Sequence, residues 1–234
     1  MVKKPPLLLL PGLLCDEALW AHQVKALKDV AQCRVADLTG QDSVAGLARA
    51  ALAKAPAKFA LAGLSMGGYV ALEIMRQAPE RVLKLCLLDT SARPDTAEQK
   101  ERRRLLMALS RQGKFRGVTP RLLPMLIHPE RLSDKVLTGI VMGMAERVGR
   151  EAFLRQQTAI MNRADSRPSL AKIRVPAQVI VGRQDALTPV EVCKEIADGI
   201  PGSQLTIIEN SGHLSALEQP VTVGEIMRRW LCSG

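Results

Sequence analysis

Lys58-Phe59-Ala60-Leu61-Ala62-Gly63-Leu64-Ser65-Met66-Gly67-Gly68 joins an apolar run to a glycine-flanked serine. Residues 58–63 form a near-continuous apolar run, which reads as a strand buried on both faces. From Gly67 to Ala78 the pattern becomes helical, and Pro79 ends it. Between strand and helix sits Gly-x-Ser-x-Gly at 63–67, extended by Gly68. A nucleophilic serine needs such a sharp turn, so that its hydroxyl projects clear of the backbone. Small neighbours let the chain pack tightly there, and the following helix N-terminus offers free N–H groups to developing negative charge. Ser65 is therefore the candidate nucleophile.

Outward from this turn, the chain alternates strands and helices. Residues 6–10 are an apolar strand stopped by Pro11-Gly12. A helix is expected over 17–29, a short strand over 33–37, and a helix capped by Asp42 or Ser43 running to Lys54. Residues 82–88 are the next strand. After a long interruption, strands return at 177–182 and 204–208, with helices at about 189–199 and 217–232. Short links and apolar strands predict parallel pairing through right-handed crossovers. The interruption, 95–163, has helical periodicity, many charges and almost no strand-like run; Gly113, Gly117, Pro120, Pro124 and Pro129 divide it into several helices.

A serine hydroxyl needs a base. The chain has three histidines: His22 in the first helix, His128 in the interruption, and His213 directly after the last strand. A loop after a parallel strand opens on the same sheet edge as Ser65, which selects His213. The base needs an acid to hold its tautomer. Asp185 follows the strand 177–182, and Asp89 follows the strand 82–88. Asp185 gives the order Ser, Asp, His expected of such a site, with Asp89 as the competitor. Two backbone donors must bind the oxyanion. One is the N–H of Met66, and the other is assigned to Leu13 in the turn after the first strand, with Leu14 as the alternative. Leu14, Trp20 and Leu214 flank these loops and are candidate substrate contacts. Met107, Leu126, Met142, Met144 and Met161 could line a pocket but read better as helix-packing core.

These motifs resemble the α/β-hydrolase superfamily along nearly the whole chain. Gly63–Gly68 looks like its nucleophile elbow, Gly182-Arg183-Gln184-Asp185 its acid loop, and Gly212-His213 its histidine loop. The resemblance implies a mostly parallel sheet of about eight strands, helices on both faces, a core of residues 1–94 and 164–234, and a helical cap at 95–163. Within the superfamily, the enol-lactonase, carrier-protein carboxylesterase and haloperoxidase-like branch is the most similar. Many of its members have His-Gly where this chain has Pro11-Gly12. The expected reaction is hydrolysis of a small-molecule carboxylic ester through a Ser-His-Asp triad and an acyl-enzyme, without metal or organic cofactor. Lactone, thioester or carbon–carbon bond hydrolysis by the same triad is the alternative. A ligand-binding protein on a hydrolase scaffold is the rival of another class.

Composition narrows the partners. The 234 residues suit one catalytic domain with an insertion, and 47% hydrophobic with 24% charged residues is ordinary for a globular protein. Aromatics at 3% argue against a nucleic-acid binder that stacks bases. Net charge is +10, and residues 97–155 hold thirteen Lys and Arg against six Asp and Glu, including Lys100, Arg102, Arg103 and Arg104. This is a solvated helical face or a lure for an anionic substrate or acidic carrier. Five widely spaced cysteines without Cys-x-x-Cys fit reduced thiols in the cytoplasm. Lys3-Lys4 before an apolar run imitates a secretory leader, but Pro5-Pro6 open the run and no small-residue cleavage site follows. No apolar run approaches the roughly 20 residues of a membrane span.

Overall fold

The computed structural model describes residues 4–113, 115 and 117–233; Lys3, in the leader-like start, lies outside them. Six strands form one parallel sheet in the order β2-β1-β3-β4-β5-β6: β1 Pro6–Leu10, β2 Gln32–Val35, β3 Phe59–Leu64, β4 Val82–Leu88, β5 Ala177–Gly182 and β6 Gln204–Ile208. The expected figure of eight came from the resemblance. The residues themselves contain six strand-like runs, and each becomes a strand.

The helices are α1 Ala21–Ala26, α2 Val44–Lys54, α3 Met66–Gln77, α4 Ala97–Ser110, α5 Lys135–Met161, α6 Arg167–Leu170, α7 Val190–Gly199, α8 Ser215–Glu218 and α9 Pro220–Cys232. Ser43 caps α2 by accepting from the Gly46 N–H (3.2 Å). The helix expected over 17–29 is shorter: Asp16 caps a single 3₁₀ turn at Glu17–Trp20 that runs into α1. The last expected helix is two, because Pro220 cannot continue α8 and instead starts α9.

Alternation along the strands sorts the core into two layers, because successive side chains point to opposite faces. Leu8, Leu10, Leu61, Leu85, Leu87, Val179 and Val181 pack beneath α2, α3 and α7. Leu7, Leu9, Ala60, Ala62, Cys86, Leu88 and Ile180 pack on the other face, with α9. Each fully buried Leu or Val contributes roughly 1.5–3 kcal/mol relative to exposure.

The strand order places the site. The chain passes from β1 to β2 on one side, then returns to lay β3 on the other side of β1. Segments leaving β1 and β3 therefore diverge and open a crevice at the carboxyl edge. Above this edge the chain between β4 and β5 is helical. Thr96 and Gln99 form a capping box at the start of α4, and Asp134 caps α5 through the N–H groups of Val136 and Leu137. The sequence suggested several helices here; among the described residues two are long, with single turns at Leu123–Met125 and Pro129–Arg131 between them. Gly149, at φ +77°, interrupts the helical path of α5. Among the described residues, no helix is long and apolar enough to cross a membrane.

The approach of α3 to β1 leaves no room for a side chain at Gly67, where a Cβ would lie within 3.0 Å of the Leu10 carbonyl. Gly139, exposed inside α5, has open space. Thermal unfolding should separate them: Gly67→Ala should destabilise by about 1–3 kcal/mol, and Gly139→Ala should stabilise by about 0.5–1 kcal/mol.

Candidate active site

Ser65 occupies the turn between β3 and α3 at φ +55°, in the left-handed region that non-glycine residues rarely enter. The strain is held from several sides. The Ser65 N–H donates to the Leu88 carbonyl of β4 (3.0 Å), and its own carbonyl accepts from Gly68 N–H (2.9 Å) and the Thr90 hydroxyl (2.7 Å). A Cβ at Gly63 would meet the Gly67 backbone within 3.0 Å, so the two glycines flanking the serine are needed for the turn to close.

The Ser65 hydroxyl lies 2.9 Å from His213 Nε2, and His213 Nδ1 lies 2.9 Å from Asp185 Oδ2. His213 and Asp185 are buried. Asp185 is fixed by three further donors: the N–H groups of Leu187 (2.8 Å) and Thr188 (2.9 Å) and the Thr188 hydroxyl (2.6 Å). With Nδ1–H donating to the carboxylate, Nε2 is left as an acceptor facing the serine hydroxyl. Burial alone would raise the Asp185 pKa, but the His213 charge and the hydrogen bonds from His213 and Thr188 hold it below its ordinary value. Burial would likewise lower His213, and Asp185 outweighs it, raising the imidazole above 6.5.

The other residues take different places. Asp89 makes no hydrogen bond to His213. Its carboxylate accepts from the Gly182 N–H (2.9 Å) and from the Ser215 N–H (3.2 Å) and hydroxyl (2.5 Å), tying β4 to the loops that carry Asp185 and His213. Burial and the neighbouring Asp185 push its pKa up. His22 is exposed on α1. His128 has other partners: its backbone N–H donates to Glu218 Oε2 (2.6 Å), and its ring Nδ1 accepts from the Glu130 N–H (3.2 Å). Glu218 also accepts from the Gly212 N–H (2.8 Å), bracing the backbone just before His213. Sequence reading did not single out Glu218, because an acid in the last helices looks like a surface residue.

In the turn after β1 the amides of Leu13 and Leu14 differ in their partners. The Leu14 N–H already donates to Gln156 Oε1 (3.1 Å), and Gln156 in turn donates to the Leu38 carbonyl (3.1 Å). The N–H groups of Leu13 and Met66 have no hydrogen-bond partner among the described residues. Gln156, fully buried on α5, thus holds this turn.

A cavity of about 510 Å³ adjoins Ser65 and His213, within the roughly 300–1,000 Å³ usual for small-molecule sites. Leu13, Leu14 and Leu214 line it, as do Leu126 and Met144, which sequence reading had favoured as packing residues. Trp20, expected beside the site, is not among the lining residues. The Asp16-capped turn carries it into the core beneath the sheet, where it is fully buried. Met107, Met142 and Met161 are also absent from the wall. No cluster of three or more His, Cys, Asp or Glu that could hold a metal occurs among the described residues.

The fold has counterparts among known proteins. The model of the alpha/beta hydrolase family matches residues 7–226. The chain is similar to the pimeloyl-[acyl-carrier protein] methyl ester esterase of Neisseria meningitidis serogroup C, 29% identical over 171 residues, covering 71% of this chain and 66% of that protein. It is also similar to the esterase of the same name from Vibrio campbellii, 25% identical over 238 residues, covering 89% and 87%. Among solved structures, a thermophilic esterase from Thermogutta terrifontis with malate bound superposes with TM-score 0.89 at 30% identity, covering 98% of this chain and 90% of that one. The match to the family model runs from the second residue of β1 into α9, and on that extent the chain belongs to the alpha/beta hydrolase family.

Proposed function

We propose that the chain hydrolyses a carboxylic ester of a small molecule through an acyl-enzyme on Ser65. The observation that carries this reading is the unbroken series Ser65 Oγ to His213 Nε2 at 2.9 Å and His213 Nδ1 to Asp185 at 2.9 Å, beside a cavity. His213 takes the hydroxyl proton as Ser65 attacks the ester carbonyl. Asp185 stabilises the imidazolium that forms. The free N–H groups of Leu13 and Met66 bind the oxyanion. The tetrahedral intermediate collapses, the alcohol leaves with the proton from His213, and water, activated by the same imidazole, releases the acid. These steps need no metal or organic cofactor.

The segment 95–163 is read as a cap over the site, since α4 and α5 supply Leu106, Met144 and Phe153 to the cavity wall. Two relatives that are methyl ester esterases and a similar esterase structure favour esters over lactones, thioesters and carbon–carbon bonds. Those relatives act on an acyl group borne by a carrier protein, and the basic excess over 97–155 would suit docking of an acidic carrier. A ligand-binding protein without turnover would have no need for a strained serine aligned on a buried imidazole. The five cysteines are free, which suits the reducing cytoplasm.

Three measurements test the reading. Ser65→Ala should lower kcat/KM for short p-nitrophenyl esters by about 10⁴-fold or more while circular dichroism stays unchanged; activity near wild type would remove Ser65 from the mechanism. The base must be neutral to act, and its pKa is raised, so kcat/KM should fall as pH drops through a midpoint above 6.5. A midpoint below that value would contradict the Asp185–His213 coupling. Gln156→Leu should release the Leu14 N–H, displace the donor turn, and lower kcat by about 10²-fold with little change in KM; an unchanged kcat would show that the turn holds itself.

A further inference from the structure

Much of the cavity wall is apolar, but one part is strongly cationic. Among the described residues Arg93, Arg102, Arg103 and Arg163 line it, against a single acid, Asp95. Arg93 is paired outside the cavity with Glu195, Nε to Oε2 at 2.8 Å. Asp95, with its side chain 1% exposed, accepts from Arg103 Nε (2.6 Å) and from Arg163 Nη1 (2.5 Å). One carboxylate thus serves two guanidiniums, and the group, with Arg163 buried and Arg103 half-buried, keeps a net positive charge.

The two arginines differ in what remains free. Arg163, 6% exposed, also donates to the carbonyls of Arg93 and Ile160 and lies 4.3 Å over the Tyr69 ring. Arg103 gives Nη1 to Gln157 (2.8 Å), while its Nη2 has no partner among the described residues. Arg102, exposed at the rim, donates to the Met125 sulfur (2.9 Å) and has no acid partner among the described residues. A half-buried cation that shares its carboxylate is completed by a further anion, and the guanidinium fork matches a carboxylate.

We propose that the cavity selects esters whose acyl chain ends in a free carboxylate, that is, half-esters of dicarboxylic acids. The ester carbonyl lies at Ser65, the methylene chain runs along the apolar wall, and the carboxylate meets Arg103 and Arg102. This inference rests on the ester-hydrolase reading above.

The test compares monomethyl esters of dicarboxylic acids, graded from succinate to suberate, with methyl esters of monocarboxylic acids of equal length. At the best length the half-ester should have kcat/KM about ten- to a hundred-fold higher, carried by KM and weakened by salt. Arg103→Met should collapse that ratio, and Arg103→Lys should restore part of it. The free dicarboxylates should also inhibit the wild-type enzyme competitively where their neutral diamides do not, a measurement that holds even if the variants fail to fold. Turnover of both ester classes without preference, or inhibition by diamides equal to that by dicarboxylates, would overturn the inference alone. Preference for carrier-linked esters, with free half-esters no better than neutral ones, would overturn it in favour of a docked carrier. Turnover of neither class would overturn the ester reading and this inference with it.

Discussion

The structure depends on how closely four backbone segments meet at the carboxyl edge of one sheet. α3 starts so near β1 that a Cβ at Gly67 would strike the Leu10 carbonyl, and a Cβ at Gly182 would strike the backbone of Ser211 and Gly212. These contacts bring the donor turn, the elbow and the acid and histidine loops within reach of one another. Ser65 can then be held at φ +55° only because its neighbours fix both its amide and its carbonyl. Strain of this kind, of order 1–3 kcal/mol, persists where the surroundings over-determine it. The six-stranded core, with two apolar layers sorted by strand alternation, is what stabilises the chain enough to carry it.

Behind the elbow the electrostatics follow the same logic. Asp89, Asp185 and Glu218 are buried acids near one imidazole, an arrangement that would be unfavourable were any of them unpaired. Each accepts backbone N–H groups, and each joins segments distant in sequence. Asp89 links β4, β5 and α8, and Glu218 links the histidine loop to the turn at His128. Only Asp185 reaches His213, which separates its role from that of its competitor. The helical segment is fastened to this apparatus too, since the N–H groups of His213 and Leu214 donate to the Leu126 carbonyl.

What could be read in advance was local. Ser65 was legible because an apolar strand, a glycine-flanked serine and a helix are adjacent in the chain. His213 and Asp185 were legible because each follows a strand that must end on the same edge. Gln156 was not, for it lies 142 residues from the Leu14 amide it holds, and nothing in a buried helix marks that pairing. Arg103 resembled any solvated helical face until the fold brought it, with Arg163, onto Asp95. Trp20 failed as a neighbour of the site because nearness in sequence to a catalytic loop is not nearness in space. The strand count of eight was borrowed from a resemblance, while the chain's own apolar runs number six.

The central claim is that Ser65 is a nucleophile made reactive by His213. Reaction with a fluorophosphonate probe, followed by mass mapping of the modified peptide, tests it directly. One adduct is expected, on Ser65, formed by the wild type and lost in His213→Ala. An adduct elsewhere, such as on the cavity-lining Cys15, or labelling of Ser65 unchanged without His213, would contradict it.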